Sequence, residues 1–277
     1  MTIENKPSDP QTRKTVNEQT ELAGFTSTRH LLSDGRELTS WSRAGKGPAL
    51  ILIPGTWGDL ESWAPLITRL PADRAIIVIE LFWQGGRALG DGPLEIPILA
   101  DAVLQVIAAL QPGQFILGGI SLGGMITVEI AGRNPADLIA AIPMEGWTHH
   151  SVADTAFNNL VRTALEPDQE QQRLADRRRR MAHLSAEQKS VIRTIWRRWN
   201  GTDALLRSKV PILHIWGDRN RPRPGPDALQ IPERPNITVA WIAGSSHLLL
   251  IQAPDALADM VRDFLASFSS ITPPSTA

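Results

Sequence analysis

The sequence of 277 residues contains no cysteine and no tyrosine. Without cysteine there can be no disulfide bond, no thiolate metal ligand and no cysteine nucleophile. Without tyrosine, no phenol can act as an acid, a base or an oxyanion donor. Long apolar runs are missing as well: none approaches the roughly 20 residues that span a bilayer, and the polar first residues lack the apolar stretch of a signal peptide. We therefore expect a cytoplasmic protein with no membrane partner.

What the chain does contain is an ordinary mixture for a globular protein: 42% hydrophobic and 21% charged residues, with a formal net charge of −1. This composition and length predict one full core with an insertion. Four consecutive arginines at 177–180 are a basic run, but acidic residues are interspersed nearby. We interpret the run as a solvated helical face and expect no nucleic-acid partner.

The most specific motif is Gly-Ile-Ser-Leu-Gly at residues 119–123, which follows a short apolar run and precedes a helix-like segment. Where a strand turns abruptly into a helix, small residues must flank the turn because larger side chains would collide. The two glycines meet that requirement. The motif predicts a serine nucleophile, Ser121.

Short apolar runs recur along the chain, and helix-like segments separate most of them. The first two flank Asp34-Gly35 and predict a hairpin. The others predict further strands at residues 49–53, 75–79, 115–117, 139–142, 211–215 and 237–242. This alternation predicts the α/β class, with a mainly parallel central sheet flanked by helices.

Together these features resemble the α/β-hydrolase superfamily over about residues 25–268. Four motifs carry the resemblance in the family's order: PGTWG at 54–58, GISLG at 119–123, WGDRN at 216–220 and GSSH at 244–247. The resemblance implies the α/β-hydrolase fold with a helical cap insertion. The predicted division is a disordered tail at 1–24, a core at 25–147 and 210–268, a cap at 148–209 and a second tail at 269–277.

A serine hydroxyl is a poor nucleophile without a neighbouring base. The resemblance assigns that base to His247, in the loop before the last helix. The acid departs from the usual pattern, because the customary position is Asn220, which carries no charge. We predict Glu145 instead, similar to the relocated acid of zearalenone lactonases and haloalkane dehalogenases. Asp218 remains the alternative.

The resemblance also implies two backbone N–H donors for an oxyanion, those of Leu122 and Thr56. Trp57 and Trp147 are the predicted substrate-binding residues. The sequence has no nucleotide-binding motif and no cluster of metal ligands, so we expect no cofactor and no metal.

These residues predict a cofactor-free serine hydrolase that cleaves a small carboxylic ester or lactone through an acyl-enzyme. Two alternatives remain open. The same residues would hydrolyse a carbon–carbon bond in a diketone, and a hydrolase scaffold without a competent acid would bind a ligand without turning it over.

The predicted cap is basic, since residues 162–209 contain 12 Lys or Arg and 6 Asp or Glu. One hypothesis is that the cap attracts anionic or strongly polar substrates. The alternative is that these charges form surface salt bridges and maintain solubility.

Overall fold

The computed structural model describes Leu22 and residues 24–268. The predicted tails at 1–24 and 269–277 therefore lie outside the described residues, apart from Leu22 and Gly24. Within the described part, no helix has both the length and the apolar character needed to cross a membrane.

The centre of the fold is one eight-stranded sheet in the order β1-β2-β4-β3-β5-β6-β7-β8. β1 pairs antiparallel with β2, β2 pairs antiparallel with β4, and all other neighbours are parallel. The strands are β1 (Thr26–Leu31), β2 (Glu37–Arg43), β3 (Lys46–Ile53), β4 (Arg74–Glu80), β5 (Phe115–Ile120), β6 (Leu138–Met144), β7 (Ile212–Gly217) and β8 (Ile237–Ile242). The predicted hairpin, strands and mainly parallel sheet are confirmed.

The central strands are continuous apolar runs because both of their faces are buried. In β3, Leu50 and Leu52 belong to the core on one side of the sheet, whereas Ile51 and Ile53 belong to the core on the other. All four side chains are fully buried. Successive side chains of a strand point to opposite faces, so a single run supplies both cores.

Helices cover both faces of the sheet, and others form the insertion between β6 and β7. They are α1 (Ala64–Ile67), α2 (Ile96–Leu110), α3 (Leu122–Arg133), α4 (Val152–Thr155), α5 (Pro167–Arg180), α6 (Ala186–Ile192), α7 (Thr202–Arg207), α8 (Pro226–Leu229), α9 (Leu249–Gln252) and α10 (Pro254–Ala266). In α10, Leu257, Val261 and Leu265 recur at helical spacing on one face and are buried.

The chain between β6 and β7 forms a long helical insertion, residues 145–211. Its last helix, α7, packs closely on α3: a Cβ atom at Gly132 would lie 2.6 Å from the Cα atom of Ala204. The longest helix of the insertion, α5, has no buried residue and is mostly polar. The division into core and cap at residues 148 and 209 stays a prediction.

Candidate active site

Ser121 lies in the turn between β5 and α3, at the carboxyl end of the central strands. Its backbone has φ 57° and ψ −118°, a conformation that few residues with a side chain adopt. A side chain on Gly119 would collide with the Gly123 carbonyl, and one on Gly123 with the Ile53 carbonyl. The two glycines of the motif are therefore required by close backbone approach, as predicted.

His247 lies in the loop between β8 and α9 and meets Ser121 directly. Its Nε2 atom is 2.9 Å from Ser121 Oγ, and its Nδ1 atom is 3.2 Å from Glu145 Oε2. Its backbone N–H donates to the Val161 carbonyl at 3.2 Å, which ties this loop to the insertion. The structure thus brings together the serine, the histidine and the glutamate that the sequence predicts.

Glu145 follows β6 immediately and is completely buried. Its backbone has φ 48°, and its N–H donates to the Ile215 carbonyl of β7 at 2.9 Å. Burial by itself raises the pKa of this carboxyl, but the hydrogen bond to His247 and the charge and hydrogen bonds of Arg219 outweigh burial and lower it. Glu145 is therefore ionised at neutral pH.

Arg219 is the site residue that sequence reasoning missed. Its two terminal nitrogens donate to the two carboxylate oxygens of Glu145 at 3.0 and 2.6 Å. Its Nε atom donates to the Leu160 carbonyl at 3.0 Å, and its guanidinium carbon lies 3.7 Å from the Phe157 ring centre. This arginine fixes Glu145 and connects it to residues 157–160 of the insertion. A signal was present in the sequence, since Arg219 lies within WGDRN at 216–220, one of the four motifs that carry the family resemblance.

Asp218, the alternative acid, has a different set of partners. Its Oδ1 atom accepts the Asn220 N–H at 3.0 Å and the Gly244 N–H at 2.9 Å. These contacts hold the turn after β7 against the loop after β8. None of the hydrogen bonds described for Asp218 involves His247.

The loop after β3, which carries Thr56, passes close to Ser121. A Cβ atom at Gly55 would lie 3.4 Å from the Cβ atom of Ser121. Gln84 Nε2 donates to the Gly55 carbonyl and Trp83 Nε1 to the Thr56 carbonyl, both at 2.7 Å. Because side chains that follow β4 hold these two carbonyls, the backbone of the loop is fixed. The other predicted donor, Leu122, begins α3 directly after Ser121.

A cavity of about 330 Å³ opens in front of Ser121 and His247. Thr56, the predicted oxyanion donor, and Trp57, a predicted substrate-binding residue, both line it. Trp147 is not among its lining residues: it is buried behind His247, with 5.8 Å between the two ring centres. In the described part of the chain, no three His, Asp or Glu side chains are grouped as metal ligands would be.

Comparison with known proteins agrees with this architecture. The profile of a family described as the alpha/beta hydrolase family matches residues 50–260. The chain belongs to this family. Membership identifies it as a hydrolase of the alpha/beta type and confirms the resemblance drawn from the four motifs.

Individual relatives are distant. The chain is 24% identical over 266 residues to the dihydrolipoyllysine-residue acetyltransferase component of the acetoin cleaving system from Pseudomonas putida, covering 83% of this chain and 67% of that one. It is 26% identical to the pimeloyl-[acyl-carrier protein] methyl ester esterase of Stenotrophomonas maltophilia, covering 81% and 95%. The structure of the enol-lactonase from Burkholderia xenovorans LB400 is 19% identical with a TM-score of 0.68, covering 86% and 100%. At this identity the structural likeness shows the fold.

Proposed function

We propose that this hydrolase cleaves a carboxylic ester or lactone through an acyl-enzyme formed on Ser121. The observation that carries the proposal is the continuous series of hydrogen bonds from Ser121 Oγ through the His247 ring to the buried Glu145 carboxylate. A nucleophile, a base and a group that orients the base are the parts that acyl transfer requires.

In the first half-reaction, Ser121 Oγ attacks the acyl carbon while His247 Nε2 takes the serine proton. Glu145 accepts a hydrogen bond from Nδ1–H, keeps the ring in this tautomer and stabilises the positive charge that develops on it. The N–H groups of Leu122 and Thr56 donate to the oxyanion. The carbon–oxygen bond then breaks, and the leaving alkoxide receives the proton from His247.

In the second half-reaction, water attacks the acyl-enzyme and gives a proton to His247. The proton returns to Ser121 Oγ as the acid leaves. With a lactone, the released hydroxyl remains attached to the acyl group, so the product is one hydroxy acid.

Support for oxygen esters comes from relatives named as a methyl ester esterase and an enol-lactonase. A cavity of about 330 Å³ lies at the lower end of the usual range for small-molecule sites.

The proposal is tested by incubating the full chain with a fluorophosphonate and locating the adduct by mass spectrometry. We expect one adduct per chain, on Ser121, and none in the Ser121→Ala variant. Ser62 also lines the cavity, but its hydroxyl donates a hydrogen bond to the Asp59 carbonyl. Ser62→Ala is therefore the matched control and should be labelled like the unaltered chain.

The labelled protein is then assayed for loss of activity on a panel of methyl esters and lactones. Parallel loss of activity and gain of label supports the acyl-enzyme route. Absence of label on a folded chain contradicts the proposal and favours the ligand-binding alternative. Hydrolysis of diketones but not of esters would instead indicate carbon–carbon bond cleavage.

A further inference from the structure

The cavity in front of Ser121 is unusually rich in arginine. Arg162, Arg173, Arg177 and Arg180 line it, and its acidic lining residues are Glu61 and Asp176. All four arginines belong to the insertion. Positive charge therefore exceeds negative charge at the place where a substrate would enter.

Two of the four arginines are already paired. Arg173 binds both carboxylate oxygens of Glu170, at 2.7 and 2.5 Å. Arg180 binds Asp59 at 2.6 Å. The acidic lining residue Glu61 forms a salt bridge as well, with Arg179 at 2.6 Å.

Arg162 and Arg177 differ from their neighbours. Among the described residues, neither guanidinium has a hydrogen bond or an ion pair with a carboxylate. Loss of surrounding water lowers the pKa of Arg162, and the charges of Arg173 and Arg177 lower it further, against a weaker opposing effect of Glu170. Loss of water followed by the charge of Arg173 also lowers the pKa of Arg177. Like charges therefore lie near one another there, and among the described residues no carboxylate is bonded to either Arg162 or Arg177.

Hydrogen bonds hold the chain on both sides of Arg162. The Leu160 and Val161 carbonyls accept hydrogen bonds from Arg219 at 3.0 and 3.3 Å. On the other side, Gln252 donates to Thr163 Oγ1 at 2.8 Å. The segment that carries Arg162 is thus attached to the residue that orients Glu145, so the backbone of Arg162 is held beside the cavity that its side chain lines.

Arg177 approaches the cavity from α5. Its guanidinium carbon lies 5.8 Å from the ring centre of Trp57. Trp57 lines the same cavity and follows Thr56 directly. An aromatic face beside a guanidinium holds the planar group without neutralising it, which leaves its N–H donors available.

We propose that Arg162 and Arg177 together bind a free carboxylate of the substrate. The preferred substrates would then be esters or lactones that also carry a carboxylic acid group, such as half-esters of dicarboxylic acids. Guanidinium groups match a carboxylate through paired N–H donors. The inference rests on the proposed function, because it names the substrate class of the Ser121 site.

The test is protection of Ser121 from the fluorophosphonate, which requires binding but no turnover. Linear dicarboxylates from malonate to adipate are compared with their neutral diamides. We expect at least one dicarboxylate to slow labelling at concentrations where its diamide does not. In Arg162→Gln and Arg177→Gln, the concentration giving half protection should rise about tenfold, the effect of losing one charged hydrogen bond.

Arg178→Gln is the matched control, because Arg178 is exposed on the same helix and does not line the cavity. This variant should be protected like the unaltered chain, and Arg162→Lys should recover part of the protection. Labelling itself requires an assembled site, so a misfolded variant is recognised by its failure to label.

Equal protection by diacids and diamides, or an equal shift in Arg178→Gln, overturns the inference while labelled Ser121 leaves the proposed function standing. Absence of label on the unaltered chain removes the proposed function, and the inference falls with it.

Discussion

At the scale of single residues, the choice of acid is the decisive question. Asn220 occupies the customary position and is uncharged, whereas Glu145 is buried, ionised and hydrogen-bonded to His247. Removing that charge should lower kcat by about 10³- to 10⁴-fold, as amide replacement of a triad carboxylate does. We predict this loss for Glu145→Gln, measured as kcat on the best ester or lactone.

The matched control is Asp218→Asn, because the new amide oxygen can still accept the N–H groups of Asn220 and Gly244. We expect the kcat of this variant to stay within about tenfold of that of the unaltered chain.

Glu145→Gln alone leaves the buried Arg219 without its partner, and an unpaired buried charge destabilises a fold by about 3–5 kcal/mol. The double variant E145Q/R219Q removes both charges and separates lost chemistry from lost stability. A large loss in D218N with an active E145Q would reverse the assignment.

At the scale of elements, the β5–α3 turn is the most constrained part of the site. A Cβ atom on Gly123 would collide with backbone atoms of β3, which cannot move aside without disturbing the sheet. We predict that Gly123→Ala lowers the free energy of unfolding by about 3 kcal/mol or more, the upper range for overpacking. Gly225→Ala is the control, since a Cβ atom there would have no atom of the described residues beyond its chain neighbours within 4 Å. Gly225→Ala should change the free energy of unfolding by no more than about 0.5 kcal/mol. Urea unfolding measures both variants. Equal stability of the two variants would contradict the close approach.

The same elements show what the sequence could and could not predict. Strand positions followed from continuous apolar runs, because both faces of the central sheet are buried. The turn at Ser121 followed from its two glycines, because that constraint is local. The contacts of Gln84 with Gly55 and of Arg219 with Glu145 join residues 29 and 74 positions apart. Side-chain contacts at such separations depend on strand order, and no local pattern in the sequence specifies them.

At the scale of the whole molecule, the parallel strands explain why distant residues meet. β3, β5, β6, β7 and β8 all run in the same direction, so the loops that carry Thr56, Ser121, Glu145, Arg219 and His247 emerge at one edge of the sheet. Open α/β sheets place their ligands beyond that edge. The site therefore depends on strand order being intact, and global stability and site geometry are linked.

His214 makes that stability depend on pH. It is completely buried in β7, with Nε2 3.0 Å from the Gly146 carbonyl oxygen, next to Glu145 in the chain. Burial lowers its pKa to about 4, although the Gly146 carbonyl and Glu145 oppose the shift. The unfolded chain protonates this ring near pH 6.5, the folded chain only near pH 4. Between these values the unfolded state binds more protons, so stability is full above pH 6.5 and falls as pH decreases.

We predict that the free energy of unfolding falls by about 2 kcal/mol more in the unaltered chain than in His214→Gln when pH is lowered from about 7.5 to about 5. Urea unfolding at the two pH values measures the difference, and the paired comparison cancels the other titrating groups. His183→Gln, at an exposed position outside the sheet, is measured in parallel as a control for the substitution itself. If His214→Gln shows the same pH dependence as the unaltered chain, the His214 ring is protonated in the folded state and must find a second acceptor. Because its Nδ1 atom is buried and has no hydrogen-bond partner among the residues that the structure describes, a charged ring there would require β7 to shift, and Glu145 and Arg219 would shift with it.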